Sequence, residues 1–344
     1  MKMRFYILGI APFLLAALTA GIGGIPAYPE YFPEPVYNFE NNPLSGEKIA
    51  LGRALFYDPI LSRDSSTSCA SCHSPYNAFA HTDHDLSHGI DDEIGTRNAP
   101  ALFNLAWQSS FMWDGASNHL DVQALAPISH PKEMGEDIYN VVAKLQRHSR
   151  YAQRFAKAFD GGEVSGERVL KALAQFQLTL VSDGSKYDAV QKGDDSFSDQ
   201  ESRGYAVFRQ NCNSCHQEPL FSSYGFANNG LPVDSTLKDF GRGAISTLAA
   251  DSLRFKIPSL RNLSYTFPYM HDGRFSNLRE VLNHYVDGVE AGAAPALGGG
   301  LALSPEEKTE LIAFLLTLND PGFVFDPAHQ FPRELLQQAN ISER

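Results

Sequence analysis

All four cysteines of the chain fall into two pentapeptides, Cys69-Ala70-Ser71-Cys72-His73 and Cys212-Asn213-Ser214-Cys215-His216. The pattern C-x-x-C-H is the attachment signature of c-type haem. Two thiols bond to the porphyrin vinyl groups, and the adjacent histidine is held under the ring as the proximal iron ligand. Two disulfides are the usual expectation for four cysteines in an exported chain. A zinc site built from the two pairs is the main structural alternative. Neither requires a histidine directly after both pairs, so the reading is two covalently bound haems c. That constrains the fold first: helices lead into the ligand histidines, and long irregular loops wrap the cofactors.

The surroundings of the two motifs are similar. Ser45-GEKIALGRALF precedes the first and Ser198-DQESRGYAVF the second. Each has a serine able to cap a helix, a charged first turn and then G-x-x-x-F, at Gly52/Phe56 and Gly204/Phe208. Ser198 with Glu201 is a capping box. This weak repetition predicts two cytochrome-c-like helical domains with one haem each. Helical periodicity marks 136–159 and 164–181. The polar stretch 182–194 breaks it, which places the boundary there and gives domains at 28–190 and 191–344. Ser304, Pro305 and the stop at Asp320-Pro321-Gly322 delimit a last helix. No run of alternating strands is present, so the fold class is mostly α.

A length of 344 residues suits two ordinary domains. Hydrophobic content of 43% with 20% charged residues predicts real cores. The net charge of −12 argues against nucleic acid and suits a basic partner or no charged partner. Lys2 and Arg4, the apolar run Phe5–Ala20 and small residues to Ala27 have the layout of a secretory signal peptide over 1–27. An uncleaved membrane anchor is the alternative. Export places the rest of the chain in an oxidising compartment, the periplasm.

Further motifs follow in order: RNAPALFN at 97–104, FMWDG at 111–115, the segment Gln123 to Met134, and FKIPSLRNLSYTFPYMHDGRF at 255–275. With the two pentapeptides they make the chain resemble the bacterial di-haem cytochrome c peroxidase/MauG family, from about Asn42 to Asp320. The resemblance implies that hydrogen peroxide reacts at the N-terminal haem and that the C-terminal haem receives electrons or stores an oxidising equivalent. It maps a catalytic pair onto Gln123 and Glu133. A carboxylate there can take a proton from the inner peroxide oxygen and return it to the outer one, and an amide can hold the peroxide in line. By its local sequence alone Glu133 reads as a solvated loop acid, and His130 as a loop histidine. Trp113 maps onto the tryptophan between the haems, an electron relay that also packs; Trp107 reads as core. Asn98, Thr266 and Pro268 match positions that bind one calcium ion, the latter two through main-chain carbonyls.

The sixth ligand of the second haem falls in Glu280-Val-Leu-Asn-His-Tyr-Val-Asp-Gly288. Where the peroxidases of the family carry methionine on the helix after His271-Asp272-Gly273, this chain has Tyr285; its nearest methionine, Met270, precedes that motif. The resemblance therefore implies the axial tyrosine of MauG-like members, with His284 the runner-up, about 100° away around the helix. A thioether favours Fe(II) and raises the potential. A phenolate is hard and anionic, favours Fe(III), and makes the haem a poor acceptor from high-potential cytochromes. On the other haem, His88-Gly89 resembles a gated distal histidine, but its distance to Arg97 differs from the usual one. The reading is an open or water-bound iron, with His81, His84 and His88 as loop residues. The resemblance implies a peroxidase whose donor is a small redox protein. The alternatives are peroxide-driven oxidation of side chains in a partner protein, and, in another class, a non-catalytic electron carrier. A homodimer is a further expectation, since relatives often dimerise.

Overall fold

A computed structural model of the chain describes residues 27–336. The segment read as a signal peptide lies outside them except for Ala27. Among the described residues no helix is long and apolar enough to cross a membrane.

The N-terminal half is built on α1 (Gly46–Tyr57), α2 (Ile138–Arg147), α3 (Ser149–Ala158) and α4 (Gly166–Leu178). Ser45 caps α1, its hydroxyl accepting the Lys48 N–H at 3.3 Å. The periodicity of 136–159 resolves into two helices that meet at His148, whose backbone is extended. Both turn apolar residues inward: Val141 and Leu145 from α2, Tyr151 and Phe155 from α3.

The polar stretch 182–194, read as a break, instead contains α5 (Lys186–Lys192), started by a Ser185/Asp188 capping box. Its Tyr187 and Asp188 are buried. The polarity serves an interior ion pair of Asp188 with Arg261 rather than solvent.

The C-terminal half is built on α6 (Asp199–Asn211), α7 (Leu278–Asp287) and α8 (Pro305–Leu316). The capping box before α6 forms as expected: the Ser198 N–H donates to Glu201 at 2.7 Å and the Glu201 N–H to Ser198 at 3.3 Å. Ser304 and Glu307 make another before α8. Asp320, read as part of a stop, also caps the following turn, Pro321–Val324. The strands β1 (Phe226–Ala227) and β2 (Phe255–Lys256) pair antiparallel, Phe226 opposite Lys256.

The G-x-x-x-F repeat has a packing cause. A Cβ on Gly52 would lie 1.9 Å from the Ala172 carbonyl oxygen, and one on Gly204 would lie 1.9 Å from that of Glu310. Each glycine lets its helix cross another at backbone distance, α1 on α4 and α6 on α8. The phenylalanine one turn on then stacks edge or tilted against its counterpart, Phe56 on Phe176 and Phe208 on Phe314, with ring centroids 5.3 and 5.2 Å apart. Gly204→Ala is expected to cost about 1–3 kcal/mol by overpacking. A denaturant midpoint unchanged in the haem-loaded protein would show that the crossing relaxes freely.

One apolar core gathers around α1–α4 and another around α5, α6 and α8. A third cluster, with Phe32, Trp107, Phe111 and Tyr224, lies alongside them. Trp107 sits in it as core, its indole N–H donating to the Pro33 carbonyl at 2.6 Å. The segment after Asp320 returns to the first core: Phe323 and Val324 join it, and Arg53 and Tyr57 donate to the carbonyls of Gln330 and His329.

Candidate active site

The first pentapeptide forms a single helical turn, Cys69–Cys72, with His73 at its end. His73 Nδ1 lies 2.7 Å from the Phe79 carbonyl oxygen. A carbonyl only accepts, so Nδ1 carries the proton and Nε2 keeps a free lone pair. Burial lowers the pKa of His73 to about 4, which keeps the ring neutral.

Two loops close on this turn. The Cys72 sulfur lies 3.6 Å from the His88 carbonyl oxygen, and the Ile90 N–H donates to the Glu133 carbonyl at 2.8 Å. Gly89 fits where they meet: a Cβ there would stand 2.0 Å from the Lys132 carbonyl oxygen. The loop therefore needs glycine beside Glu133 for steric reasons. Glu133 is partly enclosed, which raises its carboxyl pKa, while the nearby His130, 3.5 Å away, pulls the other way. Gln123 ends the short helix Leu120–Gln123, and its amide donates to the Met112 sulfur at 3.4 Å. His88 is turned to Asp92 at 2.8 Å and stacks on His84 at 4.5 Å between centroids.

The second pentapeptide borders a large cavity. Its lining includes Cys212, Cys215, His216 and, from α7, Leu278, Val281, Leu282 and Tyr285. These four positions are i, i+3, i+4 and i+7, one face of a helix. His284 falls off that face; its Nε2 donates to the Asn229 carbonyl at 3.0 Å. Burial pushes the Tyr285 hydroxyl pKa up to about 12, with the Asn229 side chain opposing. Met270 also lines the cavity, and its sulfur accepts from the Asn229 amide at 3.3 Å. His216 repeats the arrangement of His73: Nδ1 donates to the Pro258 carbonyl at 3.0 Å, and burial lowers the pKa to about 4.

Trp113, Asn98, Thr266 and Pro268 line the same cavity. The Trp113 indole N–H donates to the Asn98 carbonyl at 2.8 Å. The Asn98 amide nitrogen donates to the Asp85 carbonyl at 3.0 Å, which leaves the side-chain oxygen to accept. Arg97 ties this region together through Asp114 and Asp239, both at 2.6 Å.

Both pentapeptides fit a c-type haem. The cysteines are unbridged, and each histidine spends its Nδ1 proton on a carbonyl, the outer-shell partner that orients a metal-bound imidazole. Residues 46–196 match the di-haem cytochrome c peroxidase family. The methylamine utilization protein MauG of Methylorubrum extorquens is 39% identical, over 83% of this chain and 82% of its own. The chain belongs to the di-haem cytochrome c peroxidase family. The cytochrome c551 peroxidase of Nitrosomonas europaea is 33% identical, over 82% of this chain and 83% of its own. A crystal structure of a MauG-like protein associated with microbial copper homeostasis superposes with a TM-score of 0.81 at 30% identity, covering 89% of this chain and 98% of that one. As a member of the family the chain is a peroxidase-type oxidoreductase with two haems c in two cytochrome-c-like domains.

The carbonyls of Phe79 and Pro258, the Asn229 side chain and Gly89 escaped the sequence reading. Carbonyl partners leave no trace in residue type. Gly89 was visible only as the neighbour of His88.

Proposed function

We propose that the chain reduces hydrogen peroxide at its N-terminal site and exchanges electrons with an external donor at its C-terminal site, where the ligation is MauG-like. Cys69, Cys72 and His73 would hold one haem, and Cys212, Cys215, His216 and Tyr285 the other. Bound there, the irons supply the redox chemistry of O–O cleavage and the storage of oxidising equivalents. The division into 28–190 and 191–344, with the segment after Asp320 packed back on the first half, is part of this reading. So is export to the periplasm by residues 1–27.

Glu133 accepts the proton of the inner peroxide oxygen and returns it to the outer one. Gln123 holds the peroxide or a water in line. Trp113 serves as the relay between the two sites, with its indole fixed by Asn98. Asn98 through its side-chain oxygen, and Thr266 and Pro268 through their carbonyls, hold a calcium ion. Metal analysis of the purified protein is expected to find one calcium per chain, and none found would remove this element.

The placement of Tyr285 carries the reading: its hydroxyl shares the cavity with His216, and its helix offers no methionine there. A hydroxyl raised to about 12 ionises at neutral pH only beside a strong positive charge such as a metal ion. In the Tyr285→Phe variant the electron paramagnetic resonance and optical bands of the ferric second haem are expected to change, with those of the first unmoved. Unchanged second-haem signals would discard the ligand assignment. Peroxide-dependent oxidation of a reduced donor, above that of free haem, separates the enzyme from a mere carrier.

The tyrosine also favours a second reading, oxidation of side chains in a partner protein, because a phenolate-held iron is a poor acceptor from high-potential donors. Brisk turnover with reduced cytochrome c would speak for the small redox protein instead. A homodimer is the assembly expected in either case.

A further inference from the structure

The cavity of His216 and Tyr285 has a charge balance that thioether bonds and axial ligands leave unexplained. Among the described residues its lining contains no aspartate or glutamate, in a chain of net charge −12. Two basic side chains line it, Lys256 and Arg261. Arg261 is neutralised by two bonds to Asp188, each 2.8 Å. Lys256 is not neutralised in this way. Its ammonium donates to two uncharged acceptors, Gln108 Oε1 at 2.7 Å and the Ser110 carbonyl at 3.0 Å. A lysine has three donors, so one remains.

Burial lowers the Lys256 pKa to about 8, opposed by the charge of Asp114. That carboxylate is itself engaged by Arg97 at 2.6 Å. Tyr224, also on the lining, is buried, and its hydroxyl has no hydrogen-bond partner among the described residues. The backbone holds Lys256 in place: its N–H donates to the Trp113 carbonyl at 2.7 Å, and β2 sets it opposite Phe226. A free ammonium donor and an orphaned hydroxyl on a wall without carboxylates form a receptor for an anion. A haem brings two such anions, its propionates.

We propose that Lys256, with the Tyr224 hydroxyl as a second donor, binds a propionate of the C-terminal haem and thereby raises that haem's reduction potential. The proposal rests on a haem being attached at Cys212 and Cys215. A cation held close to the ring in a poorly polarisable interior favours the iron state with less positive charge. Removing it shifts the equilibrium towards the ferric form.

Redox titration of each haem, followed by its own optical and paramagnetic bands, tests this in the full-length holoprotein. Lys256→Met is expected to shift reduction of the second haem at least tenfold towards ferric, which is about 59 mV for one electron. The first haem should stay put. Lys256→Arg should restore the parent value to within about threefold, which a merely structural lysine would not require. Tyr224→Phe should shift the second haem in the same direction by a smaller factor. An intact second haem with an unmoved potential, or an equal shift of both haems, overturns the proposal. If Lys256→Met does not fold, the near-isosteric Tyr224→Phe decides alone, and no shift in it has the same force. Loss of thioether-bound porphyrin from the second pentapeptide in the parent protein would instead strike the underlying haem reading.

Discussion

Glu133→Gln is expected to slow peroxide-driven turnover by about 10²–10⁴-fold, the usual worth of a positioned acid–base group. Both haems should remain attached and the second-haem spectrum should not change. The amide keeps the shape of the side chain and removes only its ability to take up a proton. The pH profile gives the sharper test. Partial burial raises the Glu133 pKa, against the pull of His130. A base works only when ionised, so the parent rate should fall as pH drops through a value above the ordinary carboxylate range. That acid limb should be absent from Glu133→Gln. His130→Asn should move it to higher pH, because the cation that favours the ionised form is gone. A Glu133→Gln enzyme within about tenfold of the parent, with its acid limb intact, would show that the proton moves through another group.

Legibility from sequence followed the range of the interaction that fixed each feature. The pentapeptides, the capping box at Ser198 and the helix cap at Ser304 are local chemistry, complete within a few residues, and they appear in the fold where they were read. On α7 helical geometry showed only that Tyr285 and His284 point about 100° apart; the choice of Tyr285 came from the family resemblance. The G-x-x-x-F repeat was visible, but its cause was not: Ala172 and Glu310, the backbones it admits, lie far along the chain. The stretch 182–194 misled for a related reason. Polarity there answers to Arg261, a partner that no local window contains. Glu133, Gln123 and Trp113 have no local signature and entered through the family resemblance alone. Lys256 sat inside a quoted motif unnoticed, because a lysine becomes unusual only when the walls around it are seen to lack carboxylates.

Arg261→Met is expected to destabilise the protein by about 3–5 kcal/mol, the cost of leaving one member of a buried ion pair alone. Arg261 and Asp188 are both fully buried. Asp188 accepts from both guanidinium Nη atoms, from Tyr31 at 2.7 Å, and from the Ser185 N–H and hydroxyl at 2.8 and 2.7 Å. Arg261 also donates to the Pro219 carbonyl, three residues beyond His216 of the second pentapeptide, and packs near Phe32 and Phe221. One side chain thus joins the N-terminal segment, α5 and the loop that follows the second pentapeptide. Burial alone would raise the Asp188 pKa, but the bonds and charge of Arg261 bring it below the ordinary value. The pair's stabilisation is therefore complete above the unfolded carboxylate pKa, about 3.9, and is lost as pH falls through the lower folded value. In Arg261→Met the unpaired carboxylate prefers its proton, so the deficit should shrink in acid. Replacing both members, Arg261→Met with Asp188→Leu, removes the stranded charge and should cost less than the two single changes added together. Denaturant midpoints of the four holoproteins between pH 4 and 8 measure the cycle. Strict additivity, or a deficit in Arg261→Met that grows in acid, would mean that the ion pair is not what holds these three segments together.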